Sequence, residues 1–210
     1  MTLEDLQLTT PDDILPDGPA LLDWRRRVAE LYHDVRADPD PRHAWERWRS
    51  VRDELVGSHP QSPLSAAGRD RFTGVPYFDY DPAARVSGAV ERAEPVELRL
   101  AEGTFTRFAR VAFVLRGREL ELDCYWLQGY GGGLFLPFGD ATNGQTTYGG
   151  GRYLLDTVKG ADLGSKDGRL VLDFNFAYNP SCSYDARWVC PLAPPGNRLP
   201  VPVEAGERIP

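Results

Sequence analysis

The sequence predicts an α+β fold, a mainly antiparallel β sheet or barrel carrying an N-terminal helical hairpin. Two observations predict it. Apolar residues recur every three or four positions up to about residue 57, then alternate every second position from about residue 96. Glycine is also crowded into one stretch, with 12 of the 21 glycines between residues 129 and 168, as closely spaced strands joined by tight turns require. No alternation of strand and helix suggests a doubly wound parallel sheet, and no internal repeat is visible.

The chain has 210 residues, a length that buries a core unaided. Residues 1–17 are polar and proline-containing and read as an extended arm. Residues 18–60 form the hairpin. On its first helix Leu21, Trp24, Val28, Leu31, Tyr32 and Val35 share a face. Asp38-Pro39-Asp40-Pro41 then ends that helix and starts the next, because proline disfavours helical geometry in the residue before it. Asp40 supplies an N-cap and Pro41 suits the first helical position. Ala44, Trp45, Trp48, Val51 and Leu55 line the second helix, which ends near Gly57. These tryptophan-rich faces must bury against the rest of the molecule or, in a second reading, against a partner protein.

Residues 61–210 are read as the β-rich domain. Val96, Leu98 and Leu100 alternate with charged neighbours, followed by Phe105, Arg107, Ala109, Val111, Phe113 and Leu115. A turn at Arg116-Gly117-Arg118 leads to a strand with Leu120, Leu122, Cys124 and Trp126 on one face. The glycine-rich stretch is interleaved with Leu134, Phe135, Leu136, Phe138, Tyr148 and Tyr153, so it is an ordered, tightly turning segment and not a linker. Gly149-Gly150-Gly151 lacks the spacing of a nucleotide-binding loop. Residues 170–176 read as a strand with Leu172, Phe174 and Phe176 on one face and Val171, Asp173 and Asn175 on the other.

Charge and ends narrow the function classes. Lys and Arg total 24 against 31 Asp and Glu, a net charge of −7, which argues against nucleic acid. No segment approaches the ~20 apolar residues of a membrane-spanning helix. The N-terminus has no signal-peptide pattern, and the expectation is a soluble cytoplasmic protein without a membrane partner. The sequence leaves oligomeric state open.

Candidate chemistry gathers around the glycines. If residues 170–176 line a barrel, Asp173 and Asn175 point into it and Arg152 is the natural partner of Asp173, since its planar fork meets a carboxylate through two bonds. That pairing reads first as a structural bridge and second as part of a ligand site; placement at the surface is a third reading. No serine-nucleophile elbow or zinc-protease motif is present. The catalytic candidates are therefore Asp173 and Asp140 as acid or base and Tyr148 as hydrogen-bond donor, with Arg152 holding an anionic group. Asp140, within Gly139-Asp140-Ala141-Thr142-Asn143-Gly144, also reads as a turn-builder.

Cys182 and Cys190 form a candidate thiol pair, open to four readings: buried free thiols, a local disulfide, a metal site or a catalytic thiolate. Cys124 reads as a core residue. His33, His43 and His59 all fall in the helical region, too far along the chain for a recognisable zinc site, so no metal and no cofactor are assigned.

The blocks Phe135–Tyr148 (FLPFGDATNGQTTY), Gly151-Arg152-Tyr153-Leu154, Leu172-Asp173-Phe174-Asn175, Ala177-Tyr178-Asn179-Pro180-Ser181-Cys182, Cys190-Pro191-Leu192 and Asn197-Arg198-Leu199 resemble the domain-of-unknown-function family numbered sixteen-eighty-four. The resemblance spans roughly residues 45–208 and is strongest over 134–206. It implies a β-rich core of bacterial and archaeal distribution and brings no established activity. Members of such families can carry secretion signals, a pattern from which this chain departs.

The expectation is thus a domain that binds a small polar or anionic molecule in a pocket lined by Tyr148, Arg152, Asp173, Asn175, Tyr178 and Asn179. The alternatives are a small-molecule hydrolase using the same residues, or a structural or interaction protein.

Overall fold

The computed structural model describes residues 18–100 and 103–210; the expected N-terminal arm lies outside them. Helices α1 (Gly18–Ala37) and α2 (Pro41–Ser58) form the hairpin, followed by a single turn, α3 (Ala66–Arg69). Asp40 caps α2 as its spacing predicts, accepting from the Arg42 and His43 amides, with Pro41 in the first turn. Trp45 and Trp48 are buried, whereas Leu21 at the start of α1 remains exposed. None of the described helices is long and apolar enough to cross a membrane.

Seven strands follow: β1 (Arg85–Leu100), β2 (Gly103–Leu115), β3 (Arg118–Leu127), β4 (Gly133–Phe138), β5 (Arg152–Asp156), β6 (Ser165–Lys166) and β7 (Arg169–Asp173). They form one antiparallel sheet in the order β5-β4-β3-β2-β1-β7-β6. The sheet curls as a half-barrel and stays open, with β5 and β6 at its edges. Register shifts at Arg92/Val96, Arg107/Ala109 and Leu136/Pro137 bend it, because an extra residue in one strand raises the local twist. The β2–β3 turn is the expected one, Arg116 and Gly117 both taking positive φ (49° and 76°).

Two of the predicted strand patterns need correction. The register shift beside Phe108 ends the expected alternation on β3. Leu122 and Cys124 enter the main core, but Tyr125 joins a second cluster with Phe105, Phe135 and Tyr153, and Trp126 is exposed, edge-on to Phe108. The strand expected over 170–176 stops at Asp173. Its carboxylate accepts the Asn175 amide and caps a 3-10 turn, Phe174–Phe176, so Phe174, Asn175 and Phe176 are all buried. Local hydrogen bonding by Asp competes with the sheet ladder there.

The core is shared. Leu31, Tyr32, Val35, Trp45 and Trp48 of the hairpin belong to the same buried cluster as Val111, Leu122, Leu136 and Phe174 of the sheet side. The C-terminal segment is threaded into this core. Asn197 clips it to the sheet by bonding Asp123 N and O and Pro137 O at 2.7–2.9 Å. Gly206, with φ 76°, passes so close to Ala177 and Phe174 that a Cβ would lie 2.5 Å and 2.8 Å from their carbonyl oxygens. Gly151 is pinned likewise, with Phe138 O 2.6 Å from where a Cβ would stand.

Candidate functional site

Among the described residues, three polar centres around this core each hold residues singled out in the sequence. The first is the loop after β4. Asp140 Oδ1 accepts from Thr142 N at 2.8 Å, Thr142 Oγ1 at 2.5 Å and Val203 N at 3.3 Å, while Oδ2 meets Arg152 Nη2 at 2.9 Å. The fork of Arg152 also donates to the carbonyls of Ala205, Glu207 (3.1 Å) and Val203 (2.8 Å). Both side chains are fully buried. Burial pulls the Arg152 guanidinium below its ordinary value, against the opposing pull of Asp140. The loop is closed by Asn143, whose Nδ2 reaches Thr147 Oγ1 and Tyr148 O at 3.0 Å and 2.9 Å. The turn-building reading of Asp140 fits these contacts: its oxygens are spent on the loop, the arginine and the C-terminal segment.

The second centre corrects the expected Arg152–Asp173 pair. Asp173 is bound by Arg85, Nη1 to Oδ2 at 2.8 Å, because β1 lies directly beside β7 and puts Arg85 opposite Asp173. Asp173 Oδ1 accepts from Asn175 N and Nδ2 at 3.1 Å and 2.8 Å. Asn175 in turn brackets Asp81, accepting from its amide at 2.9 Å and donating to its carbonyl at 2.8 Å, and Trp45 Nε1 donates to Asn175 O at 3.1 Å. Asp173 and Asn175 are therefore neighbours, but they tie β7 to the 81–84 turn and to α2.

The third centre lies at the seam between hairpin and sheet. A cavity of about 100 Å³ opens there, walled by Trp24, Val28 and Tyr32 of α1, Trp48 and Arg52 of α2, and Tyr178 from beyond β7. Arg52 pairs with fully buried Glu207 and stacks over Tyr178, 4.8 Å from the ring centroid. Glu207 Oε2 also accepts from Asn179 N at 2.7 Å and Tyr184 OH at 3.0 Å. Burial alone would lower the Arg52 guanidinium; the Glu207 carboxylate outweighs it and holds it well above its ordinary value. Burial pushes Tyr32, Tyr178 and Tyr184 upward as well, so these phenols stay protonated. Asn179, also in the wall, donates Nδ2 to Arg208 O at 2.7 Å, yet its buried Oδ1 has no hydrogen-bond partner among the described residues. Lys159, at the cavity edge, faces Asp156 at 3.5 Å.

Of the expected pocket residues, Tyr178 and Asn179 line this cavity, and Tyr148, Arg152, Asp173 and Asn175 are not in its wall. Tyr148 instead faces Cys182, hydroxyl to Sγ 3.6 Å, and Cys190 borders the cavity; both cysteines are free thiols. Among the described residues no group of three or more His, Cys, Asp or Glu is placed to hold a metal ion. Sequence reasoning missed Trp24, Tyr32, Trp48 and Arg52 as cavity residues and Glu207 as the partner of Arg52. One signal was available: Arg52 stands four residues after Trp48, in phase with the apolar face of α2, where a charged side chain needs a buried partner.

Comparison with known proteins agrees with the resemblance. A family model described as protein of unknown function (DUF1684) matches residues 70–208. A solution NMR structure of an uncharacterised protein from gene locus rrnAC0354 of Haloarcula marismortui is 37% identical, covers 76% of this chain and 89% of its own, and superposes with a TM-score of 0.56. No curated protein matches the chain.

Proposed function

The chain belongs to the DUF1684 family of proteins of unknown function, and on that footing we propose that it is a binding domain whose ligand occupies the seam cavity. The observation that carries this reading is the Asn179 amide oxygen, buried without a partner in the wall of an aromatic cavity. An unsatisfied buried acceptor costs about 1–3 kcal/mol, which a ligand N–H or O–H placed against it would recover. The surrounding rings supply flat apolar contact, and Arg52 is already neutralised by Glu207. The matching ligand is a small, uncharged molecule with an apolar body and one hydrogen-bond donor, in place of the polar or anionic molecule expected from the sequence. A hydrolase built on Asp140 or Asp173 has less support, because both carboxylates are saturated by hydrogen bonds outside the cavity.

Ligand-observed NMR with benzamide as the probe tests the proposal. Benzamide should show saturation transfer from the protein, and N,N-dimethylbenzamide, lacking the donor, should bind about tenfold more weakly. Val28→Trp, which fills the cavity from α1, should abolish the signal while leaving the folded spectrum intact. Undiminished transfer in the filled variant would sink the reading.

A further inference from the structure

Independently of any cavity occupant, we propose that Cys182 and Cys190 are a reversible dithiol–disulfide pair that gives electrons to small-molecule disulfides and takes them back from small-molecule thiols. The two free thiols are close: the Cys182 amide donates to Cys190 Sγ at 3.3 Å. Each sulfur also has a second group beside it. Tyr148 OH stands 3.6 Å from Cys182 Sγ, placed to donate to it, and the Cys182 N–H serves Cys190. Donors of this kind stabilise a thiolate as attacker or as leaving group. Both residues are half-buried, so a small reagent reaches them, whereas Cys124 is sealed in the core.

Cys182 is the entry point. Tyr148 OH stands beside its sulfur, whereas Cys190 is pushed up to about 11, chiefly by burial. In the first step the Cys182 thiolate attacks one sulfur of an external disulfide, expelling a thiolate that takes up the proton Cys182 released. In the second step Cys190 loses its proton and attacks Cys182 Sγ, expelling the remaining thiolate, which is protonated. Two protein thiols are oxidised to one disulfide and the external disulfide is reduced to two thiols.

The loop between the two sulfurs gives the bond a consequence. It carries Tyr184, bonded to Glu207, and Arg187 and Trp188, which donate to the Leu64 and Pro63 carbonyls at 3.0 Å and 2.8 Å. A crosslink at its base fixes the segment that joins the seam to the turn after α2.

The test is a redox titration of the full chain in glutathione buffers, read by intact mass and peptide mapping after alkylation. The expected result is loss of two hydrogens in a single transition, a crosslinked peptide containing Cys182 and Cys190, and an unmodified Cys124. Cys190→Ser should stop at a glutathione adduct on Cys182. Persistent separate adducts on both cysteines of the parent protein, or free thiols throughout an oxidising buffer, would overturn the proposal.

Discussion

Two arginines are buried against carboxylates in this fold, Arg152 against Asp140 at 2.9 Å and Arg52 against Glu207. Arg152 stands outside the cavity wall: its two terminal nitrogens are occupied by the carboxylate and three carbonyls of the C-terminal segment, and its buried Nε has no partner among the described residues. Arg52 lies under an aromatic ring at the edge of a cavity, and a neighbouring amide oxygen is left unpaired. Their electrostatics part accordingly, with Arg152 held below its ordinary value by burial and Arg52 held above it by Glu207. A buried ion pair is therefore no sign of a site by itself. Terminal nitrogens spent on backbone carbonyls mark a strut even where Nε is left over, and an unpaired acceptor beside empty volume marks a place for a ligand.

The largest expected effect falls on the strut. Arg152→Leu leaves the Asp140 charge buried and three carbonyls without donors, and should lower stability by about 3–5 kcal/mol in urea denaturation. Adding Asp140→Asn, which removes the stranded charge, should recover part of that loss. A cost below about 1 kcal/mol would mean that Arg152 is not a strut.

At the seam, Glu207→Gln keeps the shape and one acceptor oxygen but removes the counter-charge of Arg52. The expected loss is smaller, about 2–3 kcal/mol, as for hydrogen bonds to charged groups. It should also give the cavity an uncompensated cation, so that benzoate binds the variant and not the parent protein. Equal benzoate binding by both would erase the distinction drawn between a neutralised site and an anion site.

The smallest effect concerns the thiol cluster at alkaline pH. Tyr148 is raised from 10.0 to about 12, first by its contact with the Cys182 thiol and then by burial. Below pH 10 the phenol is protonated in both folded and unfolded chains and its contribution is fully present. As pH rises from about 10 to about 12 the unfolded chain releases this proton first, so stability is lost through that window. Cys124, raised by burial from 9.0 to about 12, adds a decline that begins earlier. Thermal melts of Tyr148→Phe in reducing buffer should be flatter than the parent between pH 10 and 12 and unchanged below it.

Much of the architecture was legible. The helical hairpin follows from periodicity plus the Asp40-Pro41 cap, and the β2–β3 hairpin from alternation plus a two-residue turn, all signals carried within a dozen residues. The strand through Phe174 and Phe176 was misread because a 3-10 turn with aromatic residues on both sides of Asn175 has the same apolar alternation as a strand. At the candidate site, Tyr178 and Asn179 were legible as residues and their location was not, since the opposite wall comes from the hairpin more than 120 positions earlier.

The sequence by itself determined the α+β class, the hairpin, the turn-rich sheet and the family, because helix periodicity, strand alternation and caps depend on neighbours along the chain. Only the tertiary structure decided which carboxylate each arginine meets. Arg152 was free to take Asp173 until β1 set Arg85 opposite that carboxylate and the C-terminal segment brought its carbonyls to Arg152. Partner choice among buried charges is made by strand order and by which backbone acceptors arrive to share the desolvation, and neither is written in local sequence.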